Sequence, residues 1–436
     1  MRKVLPVPAE HFSVSAAFLV AAALAGPLAG QGVEELVAEG RQRFEKRQYF
    51  PAIEAFRRAR ELASETQRPT VSRHLASAYG ALGAEYFNAG ENRLAEETFR
   101  KGLEFAGNYY SHFGLGFLYF MRLENGDSLK QLQAALKYKP DFAGTHKLLA
   151  LLDYRQGRTG KALERLAEAQ RFDPKDGETN ALLKRWRVES TYSSQFRELT
   201  IDSFLVRVDP AIPRATRDVL LVALEKAHGE IGDSLGIWPR EKITVILFGE
   251  KSFHEATGSY HWVGGMYDGQ LKIPVPTGSS RLVRESVREV IRHEYTHVLI
   301  RRLAPECPVW LNEGIAQHYE KSVDLDSLAR QLRAARGRRM ALEKIPARLW
   351  AVDDVDLARQ SYLQGHGFVE YLVESFHEFR LRLLLSALAE EHSLGKAFER
   401  TFGLSLGELE EGWWRDVERR GRPTAAAPEK ADGKTP

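Results

Sequence analysis

Two histidines four residues apart flank a glutamate in the run His293-Glu294-Tyr295-Thr296-His297. Residues at this spacing share one face of a helix, so both rings can direct a nitrogen at a single Zn²⁺. Glu294 lies next to that face, where its carboxylate can reach a water beside the metal. A catalytic zinc takes three protein ligands and keeps one position open. The run Pro308-Val309-Trp310-Leu311-Asn312-Glu313-Gly314-Ile315-Ala316 offers Glu313 as the third ligand. It would come from the second helix of an antiparallel pair whose connection holds Pro305 and Pro308. The chemistry implied is metal-assisted hydrolysis, with the metal polarising a carbonyl and the carboxylate moving the proton.

Composition narrows the alternatives. With 436 residues, 43% hydrophobic and 28% charged, the chain can hold two or three domains with buried cores. Its net charge of +3 gives no basis for a nucleic-acid partner. A single cysteine, Cys307, excludes an intramolecular disulfide framework and a zinc site made of several thiolates, which leaves histidine and carboxylate as ligands. Cys307 itself falls between the ligand segments and reads as a buried free thiol.

Elements of both periods surround the motif. Phe204-Leu205-Val206-Arg207-Val208 alternates and Ile243 to Phe248 is β-branched and nearly all apolar, so both read as strands. Helical periodicity covers Ala215 to Leu235 and Arg281 to Arg301, the second of which carries the histidines. Pro274 and Pro276 suggest that Gln270 to Pro276 is an edge strand, able to pair with an extended peptide. Tyr267 and Trp262 could line side-chain pockets there or simply pack. Leu325 to Arg419 is helical by periodicity and should close the cleft from below, with Trp413 and Trp414 anchoring the last helix.

The first half of the chain repeats itself. Gly40, Gly83, Gly116 and Ala150 each precede by 12 residues a small residue, Ala52, Ala95, Ser128 and Ala162. Phe56, Phe99, Leu132 and Leu166 follow four residues later, at successive spacings of 43, 33 and 34. A small side chain at a helix crossing admits the partner helix, and the bulky one a turn later fills the groove. This register resembles the tetratricopeptide repeat, a helix pair of about 34 residues. The longer first interval falls at Glu65 to Arg73, placed in the connection and an extended helix. Such arrays usually hold a protein partner on a concave face, and nothing in these residues names it.

The segment from about 200 to 375 resembles the gluzincin metallopeptidases, in particular the peptidase MA-like domain found behind tetratricopeptide repeats. That resemblance implies His293, His297 and Glu313 as metal ligands and Glu294 as general base. It also points to Tyr362 as the donor that stabilises the developing oxyanion, with His366 as a competing donor. Where related enzymes commonly carry a carboxylate supporting a ligand histidine, this chain has Gln317, and Asn312 is the other near candidate for that support. The implied fold is an α-solenoid of tetratricopeptide-type helix pairs over 33–185, followed by an α+β thermolysin-like zincin domain. Its α/β part spans 196–322 and its helical C-terminal subdomain 323–420.

The ends read differently. Arg2 and Lys3, an apolar run from Val14 to Leu24 and the small residues up to Ala25 follow the order of a secretory signal peptide, 1–25. A run of about 12 residues falls short of the ~20 that cross a bilayer, so no stable transmembrane anchor is expected and the protein should be exported, periplasmic or secreted. Residues 421–436 lack aromatics and read as a disordered tail. The favoured function is an exported zinc peptidase acting on a protein or peptide. Its rival is an envelope scaffold whose peptidase-like domain is inactive, and a weaker third is hydrolysis of a non-peptide bond.

Overall fold

The computed structural model describes residues 32–258, 265–276, 281–320, 324–345, 355–391 and 393–420. The expected signal peptide of 1–25, the tail at 421–436 and Trp262 lie outside the described residues. Among the described residues are 18 α-helices and one five-stranded sheet. They divide into two compact units, Met1–Glu225 with Pro239–Val287 and Lys226–Trp238 with Arg288–Pro436.

In the first unit, α1 (Val33–Glu45), α2 (Tyr49–Leu62), α3 (Arg68–Asn88), α4 (Asn92–Phe105), α5 (Tyr109–Met121), α6 (Asn125–Tyr138), α7 (Ala143–Arg155), α8 (Thr159–Phe172) and α9 (Gly177–Ser193) follow one another. Missing side chains set the crossings. A Cβ added to Gly40 on α1 would stand 2.5 Å from the Phe56 ring on α2. The same addition to Gly83 on α3 meets Phe99 of α4 at 2.6 Å, and to Gly116 on α5 meets Leu132 of α6 at 2.8 Å. Ala150 on α7 and Leu166 on α8 are both fully buried. Three successive helix pairs therefore use one packing device, a small residue receiving a large one, and the fourth buries its small and bulky residues in one core cluster. The additional residues of the first interval fall in α3, which is 21 residues long, and in the link before it.

The sheet of the same unit has the order β1-β2-β3-β5-β4. The strands β1 (Arg197–Ile201) and β2 (Phe204–Val208) form an antiparallel hairpin, and β2 runs parallel to β3 (Ile243–Gly249). Between β2 and β3 runs α10 (Arg214–Leu235), and after β3 come α11 (Glu250–Thr257), β4 (Met266–Tyr267) and β5 (Leu271–Val275). Every residue of β3 from Ile243 to Phe248 is buried, which accounts for its unbroken apolar run, as expected of a parallel strand with both faces covered. The expected edge strand is not the edge: β5 lies between β3 and the two-residue β4. Pairing with β4 reaches only Leu271 and Lys272, so Pro274 lies beyond the stretch where an outer neighbour needs its missing N–H.

A buried ionic cluster joins helices and strands within this unit. The Lys272 ammonium donates to Tyr154 Oη at 2.5 Å, Glu189 Oε2 at 2.5 Å and Asp268 Oδ2 at 3.0 Å. The Tyr154 hydroxyl donates to Glu189 at 2.7 Å, and its ring stacks on Trp186 with centroids 3.9 Å apart. Burial pushes the Asp268 carboxyl up, but Lys272 and Arg185 pull it below its ordinary value.

The second unit is helical among the described residues. It holds the end of α10, α12 (Arg281–Leu303) from Arg288 on, α13 (Val309–Glu320), α14 (Leu325–Ala334), α15 (Val355–Phe376), α16 (Phe379–Glu390), α17 (Leu394–Phe402) and α18 (Leu406–Arg420). Phe368 of α15 is its hub, with the rings of Trp310, Phe398 and Trp413 at centroid distances of 5.8, 6.0 and 5.6 Å. Trp413 and Trp414 are buried and hold α18 in place. Among the described residues no helix is long and apolar enough to cross a membrane.

Candidate metal centre

The helix α12 carries His293, Glu294 and His297, and α13 carries Glu313. Ile291, Tyr295, Val298 and Leu299 bury the remaining side of α12. Tyr295 Oη lies 2.6 Å from His228 Nδ1, tying α12 to α10, and Arg292 Nε donates to the Tyr319 carbonyl at 2.6 Å, tying it to the end of α13. Against α15, α13 packs glycine to backbone. A Cβ on Gly314 would run into the Gly365 carbonyl, and one on Gly365 into the Trp310 carbonyl. Only glycine permits that approach, and it sets the position of Glu313, the residue before Gly314.

The three expected ligands come together. His293 Nε2 and His297 Nε2 are 3.2 Å apart, and Glu313 Oε2 lies 3.5 Å from the first and 3.6 Å from the second. These residues form a group that could hold a metal ion. Each ring is oriented from behind: His293 Nδ1 lies 3.1 Å from Glu320 Oε2, and His297 Nδ1 lies 2.9 Å from Asn312 Oδ1. Burial alone would lower the His293 pKa, but the Glu313 and Glu320 carboxylates raise it to about 10.

Glu294 is buried next to this group. Burial, aided by the Glu313 charge, raises its carboxyl above the ordinary range, although both histidines pull the other way. Tyr362 lies half-buried on α15, where burial and then the Glu313 carboxylate push its hydroxyl up and keep it protonated. His366 Nε2 is engaged by Glu370 Oε1 at 3.2 Å, and the same oxygen takes His318 Nδ1 at 3.0 Å. Cys307 remains outside the ligand group, its thiol 3.8 Å from the Pro308 carbonyl and pushed up by burial.

The expected support from Asn312 is present, whereas Gln317 does not provide the other. Its Oε1 is buried without a hydrogen-bond partner among the described residues, and Glu320 supports His293 instead. The reading of the sequence missed Glu320, although its place seven residues after Glu313 puts both on one helix face. It also missed Glu370, four residues after His366 and so on the same face.

No curated protein matches the chain. Residues 233–418 match the family model of the Peptidase MA superfamily, a span that contains His293, Glu294, His297, Glu313 and Tyr362 and is similar to a metallopeptidase domain.

Proposed function

We propose that this protein is an exported zinc metallopeptidase whose N-terminal helix pairs are tetratricopeptide-type repeats that recruit a substrate or a protein partner. The observation that carries the reading is the spacing of the three ligand atoms. Around zinc with bonds of about 2.0–2.1 Å, the edges of a tetrahedron are about 3.3–3.4 Å. The separations here are 3.2, 3.5 and 3.6 Å. Because Glu320 and Asn312 hold the two Nδ1 atoms, each Nε2 faces inward, as a metal ligand must, and a bound zinc would replace the proton that Glu313 and Glu320 favour on His293.

Zinc at such a site supplies Lewis acidity, polarising a carbonyl and lowering the pKa of a water. The chain's own residues supply the rest. Glu294 accepts the proton from the attacking water and returns it to the leaving amine, and its raised pKa suits both transfers. Tyr362, still protonated, donates to the substrate oxygen as negative charge grows there. His366 is less suited, because Glu370 already engages its Nε2. Export rests on the order of charged, apolar and small residues over 1–25, and the repeats on the four phased sequence units and the three glycine crossings among them.

Zinc content measured beside peptide cleavage tests the reading. Glu294→Gln should keep one zinc per chain and lose about 10²- to 10⁴-fold in kcat/KM. Cleavage at the wild-type rate by that variant would remove Glu294 as the base. Zinc bound by wild type with no peptide in a diverse library cleaved would favour the scaffold reading.

A further inference from the structure

A cavity of about 850 Å³ opens within the second unit between the end of α13, α14 and the start of α15. It is within the usual size of a ligand site, roughly 300–1,000 Å³. One wall is Gln317, a single turn past Glu313 on α13. Another is the α15 face made by Arg359, Tyr362, Leu363 and His366, which share a side at spacings of three, four and seven residues. The cavity therefore starts one helical turn from the proposed metal ligand and continues along α15.

Four charged side chains line this cavity, and three of them are already satisfied. Asp356 is paired with Arg338 at 3.2 Å. Asp324 caps α14 by accepting from the Asp326 and Ser327 N–H groups, and it faces Arg330 at 3.8 Å. Arg359 has no ion-pair or hydrogen-bond partner among the described residues, and it is exposed to the cavity's solvent side. Beside it Tyr362 adds a hydroxyl donor. The unspent charge of the wall is thus the Arg359 cation, which suits a carboxylate held by a planar guanidinium.

We infer that Arg359 is a specificity-determining residue that binds a substrate carboxylate within about two residues of the scissile bond. This rests on the peptidase reading above. Side chains one turn apart on a helix are about 5–6 Å from each other, and extended peptide advances about 3.3 Å per residue. A scissile carbonyl at Tyr362 therefore places the carboxylate one or two residues away. It can belong to an internal Asp or Glu or to the free C-terminus of a short peptide, and both present the same group to Arg359.

The experiment uses the zinc-loaded full chain and two peptide series. In one, end-blocked peptides carry Glu or Gln at each position flanking the cleaved bond. In the other, short peptides end in a free carboxylate or an amide. Wild type should cleave the acid form about ten- to a hundredfold faster than its amide in at least one series, and the series identifies the source of the carboxylate. Arg359→Leu should bring that ratio to near one, and Arg359→Lys should keep part of it. Cleavage with equal rates for acid and amide in both series overturns the inference alone, as does an unchanged ratio in Arg359→Leu. Absence of all cleavage removes the peptidase reading and this role together. Unchanged zinc content and melting temperature in both variants would confirm that the comparison is between folded proteins.

Discussion

Each unit buries a polar cluster, and the two clusters are built on opposite terms. In the first, Lys272 and Arg185 face Glu189 and Asp268, with Tyr154 both accepting and donating, so the charges are matched from within. In the second, two imidazole Nε2 atoms and a carboxylate oxygen converge on one point, while Glu320 and Asn312 hold the two Nδ1 atoms away from it. The first cluster matches its charges as the chain folds, whereas in the second the Glu313 and Glu320 carboxylates around His293 draw a cation, either a proton on that ring or a metal ion. A buried polar cluster is therefore evidence of a ligand site only when its own charges fail to balance.

The largest expected effect comes from unbalancing the closed cluster. Lys272→Met leaves Glu189 and Asp268 buried with too little positive charge, and should destabilise the first unit by about 3–5 kcal/mol in urea unfolding. Adding Glu189→Gln restores the match, since Arg185 still faces Asp268 at 3.5 Å, so the double variant should recover much of the loss. If Lys272→Met costs under about 1 kcal/mol, or the second substitution deepens the loss, the charges of the cluster are not matched from within.

Glu370 is an intermediate case, two histidines and a glutamate as in the ligand set but in another geometry. His318 and His366 both bond its Oε1, at 3.0 and 3.2 Å, and it belongs to no group of converging ligand atoms among the described residues. Burial raises its carboxyl, but the two imidazoles outweigh that and bring it down to about 2. A depressed carboxylate stabilises the fold above its unfolded pKa of about 4.3 and loses that contribution as pH falls toward the folded value. Acidification from about pH 5 to about pH 2 should therefore remove roughly 3 kcal/mol from the second unit. Glu370→Gln should flatten that segment of the stability–pH curve. An unchanged curve in the variant would show that this carboxylate does not couple to folding.

How far the sequence could be read follows from the range of the interactions. His293, Glu294 and His297 were legible because helical spacing alone brings them together, and Glu313 because it follows on the next helix. The strand segments Phe204–Val208 and Ile243–Phe248 announced themselves by alternation and by an apolar run. Strand order did not, since two prolines in β5 say only that some donor is missing, and a two-residue β4 leaves almost no periodic trace. The pairing of Lys272 with Glu189, 83 residues away, has no local signature at all. The phasing of the first half was visible because small residues meet bulky partners on the neighbouring helix, as Gly83 meets Phe99.

The smallest expected effect tests whether the open cluster is tuned from behind. His293 is supported by a carboxylate, Glu320, and His297 by an amide, Asn312, so the two rings differ in the basicity lent to their Nε2. Supporting partners of this kind change metal affinity about 10- to 100-fold when removed. Glu320→Gln keeps a hydrogen-bond acceptor and removes the charge, so zinc affinity, measured by competition with a chelator, should fall toward the lower end of that range. Asn312→Ala removes a neutral acceptor and should weaken binding by a similar or smaller factor. Equal affinity in wild type and Glu320→Gln would mean that its charge does not reach the metal through His293, and that ring orientation alone, common to both partners, makes the site.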